Sequence, residues 1–194
     1  MALLKLARMG HPTLRGVASP VDDPGDPDVL ALVQDMMETM ADAGGVGLAA
    51  PQVYVARRVV IFHVPRLRAG NPDADDSADD GPVPLTVLIN PEIEPLTEER
   101  VSGWEACLSV PGLMGLVPRY KRIRYRWMAR GGQRLERVAA GFHARVVQHE
   151  CDHVDGILYP HRVADLSHIG FAEEMRHYPP DGAPPARDDR KRPQ

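Results

Sequence analysis

The stretch Gln148-His149-Glu150-Cys151-Asp152-His153 constrains the fold of this chain more than any other. Positions four apart share one face of a helix, with Cβ atoms roughly 5–6 Å apart. A helix here therefore aligns His149 and His153 to grip one metal ion, and Glu150 stands beside the first of them, within reach of a water on that ion. The His-Glu-x-x-His spacing is that of zinc hydrolases. Taken alone, it also fits a solvated helix face, because histidine and glutamate are common there. Phe142 and Val146 share the histidine face at steps of three and four. That makes this face apolar one and two turns before the metal, and the helix must pack it against the rest of the chain.

A hydrolytic metal wants three protein ligands and an open position for water. In one large protease group the third ligand is a histidine downstream, in the pattern His-Glu-x-x-His-x-x-Gly-x-x-His. Here Gly156 falls on the glycine, but the last position is Tyr159, and His161 comes two residues too late. An upstream candidate is Cys107, in Glu105-Ala106-Cys107-Leu108-Ser109. A thiol on a metal is deprotonated outright. Read by itself, Cys107 is more often a small buried hydrophobe than a ligand.

Three segments, in order, resemble the motifs of the peptide deformylase family: Gly45-Val46-Gly47-Leu48-Ala49-Ala50-Pro51-Gln52, then Glu105 to Ser109, then Gln148 to His153. The resemblance runs from about Leu6 to Tyr159, with one departure: Ala106 stands where the family usually has glycine. It implies that Cys107, His149 and His153 hold one divalent ion, with iron(II) (Fe2+) the working metal and Zn2+, Ni2+ or Co2+ able to substitute. Thiolate and imidazole donors suit all four ions. It further implies Glu150 as proton shuttle, and the Gln52 side chain and Leu108 backbone N–H as donors to the oxyanion. Val46, Gly47 and Ala106 would pair with the extended substrate backbone as an added strand. Phe142 and Val146 would floor a pocket for a methionine-like side chain, with Arg145 reaching its rim. The implied reaction removes the N-formyl group from the initiator methionine of new chains and releases formate. An HExxH endopeptidase lacks its downstream ligand here, and a metal-storing module leaves Glu150 and Gln52 without a task.

The remaining sequence sets the frame. The chain of 194 residues fits one domain, expected over residues 1–178, with residues 179–194 a disordered tail. The net charge is -4, and no long basic face stands out, so direct nucleic-acid binding is not expected. Cys107 and Cys151 are too few for a secreted disulfide framework. No apolar run approaches the roughly 20 residues of a membrane span, and Met1 to Arg8 leaves no room for a signal peptide or presequence. A bacterial cytoplasmic address follows, with nascent chains as substrates and the ribosome as a candidate partner.

The expected fold is α+β, with antiparallel sheets packed around the central motif helix. Asp26, Pro27 and Asp28 start a helix whose stripe is Val29, Val33, Met36 and Met40, and Gly44 and Gly45 end it. Arg58 to Val64 is a buried strand in which His63 is a core residue. Arg66 to Pro84, with Asp73, Asp75, Asp76, Asp79 and Asp80, is a solvated loop. Leu85 to Asn90 is a strand closed by Pro91, and Pro111 to Pro118 a loop. Ile123, Tyr125 and Trp127 alternate with Arg122, Arg124 and Arg126 in a half-buried strand. Gly131-Gly132 turns it into Arg134 to Ala139. Asp165 to Tyr178 forms a short final helix.

Overall fold

The computed structural model describes residues 2–70 and 79–178. Helix α1 spans Pro27–Asp42. The Asp26 carboxylate caps it by accepting the Asp28 N–H at 2.8 Å, satisfying one of the amides a helix start leaves unpaired. Val33, Met36 and Met40 are buried along its stripe, each stabilising the fold by about 1.5–3 kcal/mol. Strands β1 (Gly47–Ala49), β2 (Val59–Val64), β3 (Val83–Pro95), β6 (Arg122–Met128) and β7 (Arg134–Ala140) form a five-stranded antiparallel sheet in the order β1-β2-β3-β6-β7. Strands β4 (Arg100–Cys107), β5 (Val110–Tyr120) and β8 (Ile169–Phe171) form a second antiparallel sheet in that order. Helix α2, Gly141–Val154, carries the motif and touches strands of both sheets. This is the α+β arrangement expected.

Several elements differ from their sequence reading. Pro91 does not end a strand. β3 runs through it with a register shift between Ile89 and Glu92, and Asn90 takes a left-handed φ of 51°. Asparagine tolerates that conformation, and here its side chain replaces the lost ladder bonds. Its Oδ1 accepts the Val21 N–H and its Nδ2 donates to the Val21 carbonyl, both at 2.8 Å. Pro111 to Pro118 is likewise strand rather than loop. β8 pairs β5 only from Leu113 to Gly115, so both prolines fall outside the doubly paired stretch, where a missing N–H is tolerated.

Asp165 to Tyr178 is not one helix. Asp165 caps a 3-10 turn by accepting the Ser167 N–H at 2.8 Å. Ile169–Phe171 then joins the sheet, leaving α3 only Ala172–His177. The acidic loop is shorter than expected, because Val83 already starts β3. Asp79 is tied down: its carbonyl accepts the Ala140 N–H at 2.7 Å and its carboxylate pairs with Arg122 at 2.7 Å. Asp73, Asp75 and Asp76 lie outside the described residues, as does the 179–194 segment.

Arg124 and Arg126 of β6 have carboxylate partners on the neighbouring strands. Arg126 reaches Glu94 at 2.8 Å and Glu136 at 3.1 Å, and Arg124 lies 3.5 Å from Glu94. Trp127 stacks on Tyr125, with ring centroids 5.1 Å apart. Tyr125 is fully buried and meets His143 of α2 through its hydroxyl at 3.0 Å. His143 Nδ1 lies 3.2 Å from the Asp79 carbonyl, which places the proton on Nδ1. Burial keeps this imidazole neutral, with its pKa lowered to about 4. The first turn of α2 is thereby pinned to the five-stranded sheet.

Candidate active site

Helix α2 is buried on nearly every side from His143 to Val154, although histidine, glutamate and aspartate fill its second half. Buried polar groups need partners, and those of Gln148, His149, Asp152 and His153 come from β4, β5 and Arg162. Cys107 Sγ and the ligand nitrogens of His149 and His153 lie within 4.8 Å of one another. His153 Nε2 is 3.3 Å from the sulfur, and the two imidazoles meet edge to face with centroids 5.1 Å apart. The Ser109 N–H and Gln52 Nε2 donate to the sulfur from 3.4 and 3.5 Å. Burial pushes the Cys107 thiol up, but the facing His153 and His149 imidazoles outweigh it and hold the group well below its usual range. A thiolate with two imidazoles is the donor set of a three-ligand transition-metal site.

Glu105 lies two residues before Cys107 on β4, on the same face of the strand. Its Oε2 is 2.8 Å from His149 Nδ1, so His149 donates from Nδ1, and its Nε2 is the nitrogen that could take a metal. Arg119 of β5 binds Glu105 through two bonds of 2.9 Å and Asp152 of α2 at 2.5 Å. These guanidinium and imidazole partners hold the Glu105 carboxyl far below the usual range in spite of its burial. Nothing in the local sequence announces this network beyond the parity of Glu105 with Cys107, which puts a carboxylate beside the ligand cluster.

Arg145 does not reach a pocket rim. Its guanidinium donates to the Val101 carbonyl at 2.6 Å, the Val117 carbonyl at 2.8 Å and Glu105 Oε1 at 2.8 Å. It ties α2 to β4 and β5. Cys151 is buried in the main core, away from the ligand cluster.

Glu150 is 5% exposed, and its Oε2 has no hydrogen-bond partner among the described residues. Burial raises its pKa to about 7 against the pull of the His149 and His153 imidazoles. An unpartnered carboxylate oxygen beside a thiolate–imidazole cluster fits a metal centre with a water to deprotonate. Gly47 makes room for it, since a Cβ there would run into the Glu150 carboxylate. Gln52 is fixed at both ends of its amide. Its Oε1 accepts the Ala49 N–H at 2.8 Å and its Nε2 donates to Ser109 Oγ at 3.2 Å, so the NH2 group faces the sulfur. Leu108 packs with the α1 cluster, close to Gly45. Val46, Phe142 and Val146 meet in one apolar cluster, with the Arg68 guanidinium 5.4 Å above the Phe142 ring. Ala106 is exposed on β4, and both β4 and β1 are sheet edges.

A buried HExxH helix with a strand cysteine beside its two histidines presents the donor set of a metal-dependent hydrolase. The sequence model of the polypeptide deformylase family matches residues 3–168, and the chain belongs to that family. It is 54% identical over 171 residues to peptide deformylase 1 of Bordetella pertussis, covering 88% of this chain and 93% of that one. It is 51% identical over 171 residues to peptide deformylase 1 of Nitrosomonas europaea, covering 87% and 92%. Among solved structures, the Ehrlichia chaffeensis peptide deformylase superposes with a TM-score of 0.77 at 30% identity, covering 86% and 91% of the two chains. A Met-Ala-Ser-bound class I type b peptide deformylase from Acinetobacter baumannii gives 0.73 at 37%, covering 84% and 99%. The chain is accordingly an enzyme that removes the N-formyl group from newly made polypeptides.

Proposed function

We propose that Cys107, His149 and His153 hold one divalent ion, iron(II) in the working enzyme, and that Glu150 is the proton shuttle of deformylation. The observation that carries this reading is the buried, unpartnered Glu150 oxygen beside three donor atoms within 4.8 Å of one another. When bound, the ion supplies Lewis acidity to the formyl oxygen and makes its water a nucleophile near neutral pH. Glu150 takes the proton of the attacking water on Oε2 and returns it to the leaving amine. The Gln52 NH2 group and the Leu108 backbone N–H donate to the oxygen on which negative charge grows, worth about 2.7–4 kcal/mol for each such donor. Ala49 and Ser109 fix the Gln52 amide plane, and the oxyanion takes over the N–H directed at the Cys107 sulfur.

The substrate lies extended between the free edges of β1 and β4. It pairs with Val46 and Gly47 on one side and Ala106 on the other, and places its methionine side chain against Phe142 and Val146. The Acinetobacter baumannii relative is bound to Met-Ala-Ser, which supports a methionyl peptide as the occupant. Residues 1–178 act as one catalytic domain in the bacterial cytoplasm, on chains emerging from the ribosome. No helix among the described residues is long and apolar enough to cross a membrane. Assaying the metal-loaded protein on formylated, acetylated and internal peptide bonds side by side tests the assignment. Formyl-methionyl peptides should be cleaved and internal bonds left intact; equal turnover of all three would refute it.

A further inference from the structure

Tyr159 stands where another HExxH class carries its third histidine, and the mechanism above gives it no task. The structure nevertheless brings it to the ligand cluster. Its ring lies nearly parallel to the His149 imidazole, with centroids 6.2 Å apart and 22° between the planes, and it is 1% exposed. Arg162, at the other end of the same 3-10 turn (Tyr159–Arg162), reaches back to α2. Its Nε and Nη2 donate to Asp152 Oδ2 and Oδ1 at 2.6 and 2.5 Å. Asp152 also accepts from Arg119 Nη1 at 2.5 Å, and Arg119 grips both oxygens of Glu105 at 2.9 Å. Glu105 in turn accepts from His149 Nδ1 at 2.8 Å. An unbroken run of ionic contacts leads from Arg162, whose side chain is 38% exposed, to an imidazole in the interior.

The two routes act on different freedoms of one ring. A carboxylate on Nδ1 sets the direction of a ligating imidazole and its basicity. That carboxylate is itself held by Arg119, whose fork is shared between Glu105 and Asp152. Without Arg162, Asp152 has Arg119 as its one remaining guanidinium partner among the described residues, and the fork is drawn away from Glu105. Tyr159 lies alongside the ring in an offset, near-parallel arrangement and opposes its tilting. We propose that the Tyr159–Arg162 turn is the positioning element of His149: Tyr159 fixes the imidazole plane, and Arg162 fixes the Nδ1 bond through Asp152, Arg119 and Glu105. This rests on the reading of His149 as a metal ligand.

The test uses zinc-loaded, histidine-15N-labelled protein. It reads zinc affinity by chelator competition, the His149 Nδ1–H resonance, and kcat and KM on a formylated peptide. Outer-shell partners of metal ligands contribute 10–100-fold to affinity, so Tyr159→Leu and Arg162→Met should each weaken zinc binding about 10-fold. Each should also move the His149 resonance and lower kcat, with KM changed less than about twofold. Tyr159→Phe keeps the ring and loses a hydroxyl that has no partner among the described residues; it should restore zinc affinity. Arg162→Lys keeps the charge without the two-pronged contact and should fall with Arg162→Met, carrying the test should the methionine variant not fold. Variants with a lower Tm but unchanged zinc affinity, resonance and kcat would make the turn merely structural and overturn the proposal. A His149 resonance indifferent to zinc in the parent protein would overturn the ligand assignment, and the proposal with it.

Discussion

Glu150 carries a cost that its role explains, and Glu150→Gln exposes both sides. Burial raises the carboxyl from its ordinary 4.5 to about 7. The folded state therefore holds this proton more tightly than the unfolded chain does. The stability linked to it is complete below about pH 4.5 and is lost as pH rises through about 7, a loss of about 3 kcal/mol by pH 8 in the metal-free protein. Glutamine copies the shape of the neutral carboxyl and never ionises. Urea unfolding of the two metal-free proteins should give similar stabilities at pH 5 and a glutamine variant more stable by about 3 kcal/mol at pH 8. The same variant, loaded with metal, should lose about 10²–10⁴-fold in kcat. A variant no more stable than the parent across pH 5–8 would refute the burial argument, and one with near-parental turnover would remove Glu150 from the chemistry.

Other perturbations separate the ligands from the space around them. Cys107→Ala deletes the thiolate and should abolish stoichiometric metal retention after gel filtration, as read by elemental analysis. Gly47→Ala puts a methyl group into the Glu150 carboxylate; overpacking costs about 1–3 kcal/mol, and kcat should fall while metal content holds. Metal-free protein reconstituted anaerobically with iron(II) should turn over faster than the zinc form and lose activity in air, with the nickel form persisting. Equal, air-stable rates with zinc and iron would instead identify zinc as the working metal. Ala106→Gly, which widens the exposed β4 edge by one methyl group, should change KM or side-chain preference more than kcat.

Much of the site could be read from local spacing. His149 and His153 are four apart on one helix, and Asp26-Pro27-Asp28 is a capping signal that depends on neighbours alone. What escaped was set by distant pairing. Pro111 and Pro118 read as loop because proline interrupts ladders, and only the short reach of β8 makes them admissible in β5. Pro91 read as a stop because nothing nearby announces that the Asn90 side chain will bond Val21, a residue 69 positions away. Arg145 read as a rim residue because its helical phase was legible and the carbonyls of Val101 and Val117 were not. Glu105, Arg119 and Asp152 come from three separate elements, so their convergence is a property of the tertiary fold.

That convergence bears on how α2 can be buried at all. Its second half packs His149, Glu150, Asp152 and His153 into the interior, where an unpaired charge costs several kcal/mol. Hydrophobic packing cannot offset this on the metal-facing side. The chain instead places Arg119, Arg145 and Arg162 against Glu105 and Asp152, which leaves these five groups with one excess positive charge. Removing one partner from such a network leaves a buried charge uncompensated, and this resists rearrangement more firmly than interchangeable apolar contacts would. Glu150 alone among the buried carboxylates keeps an oxygen without a partner among the described residues. The acid that must exchange a proton is the one left unbound, while the acids that hold ligands in place are tied at both oxygens.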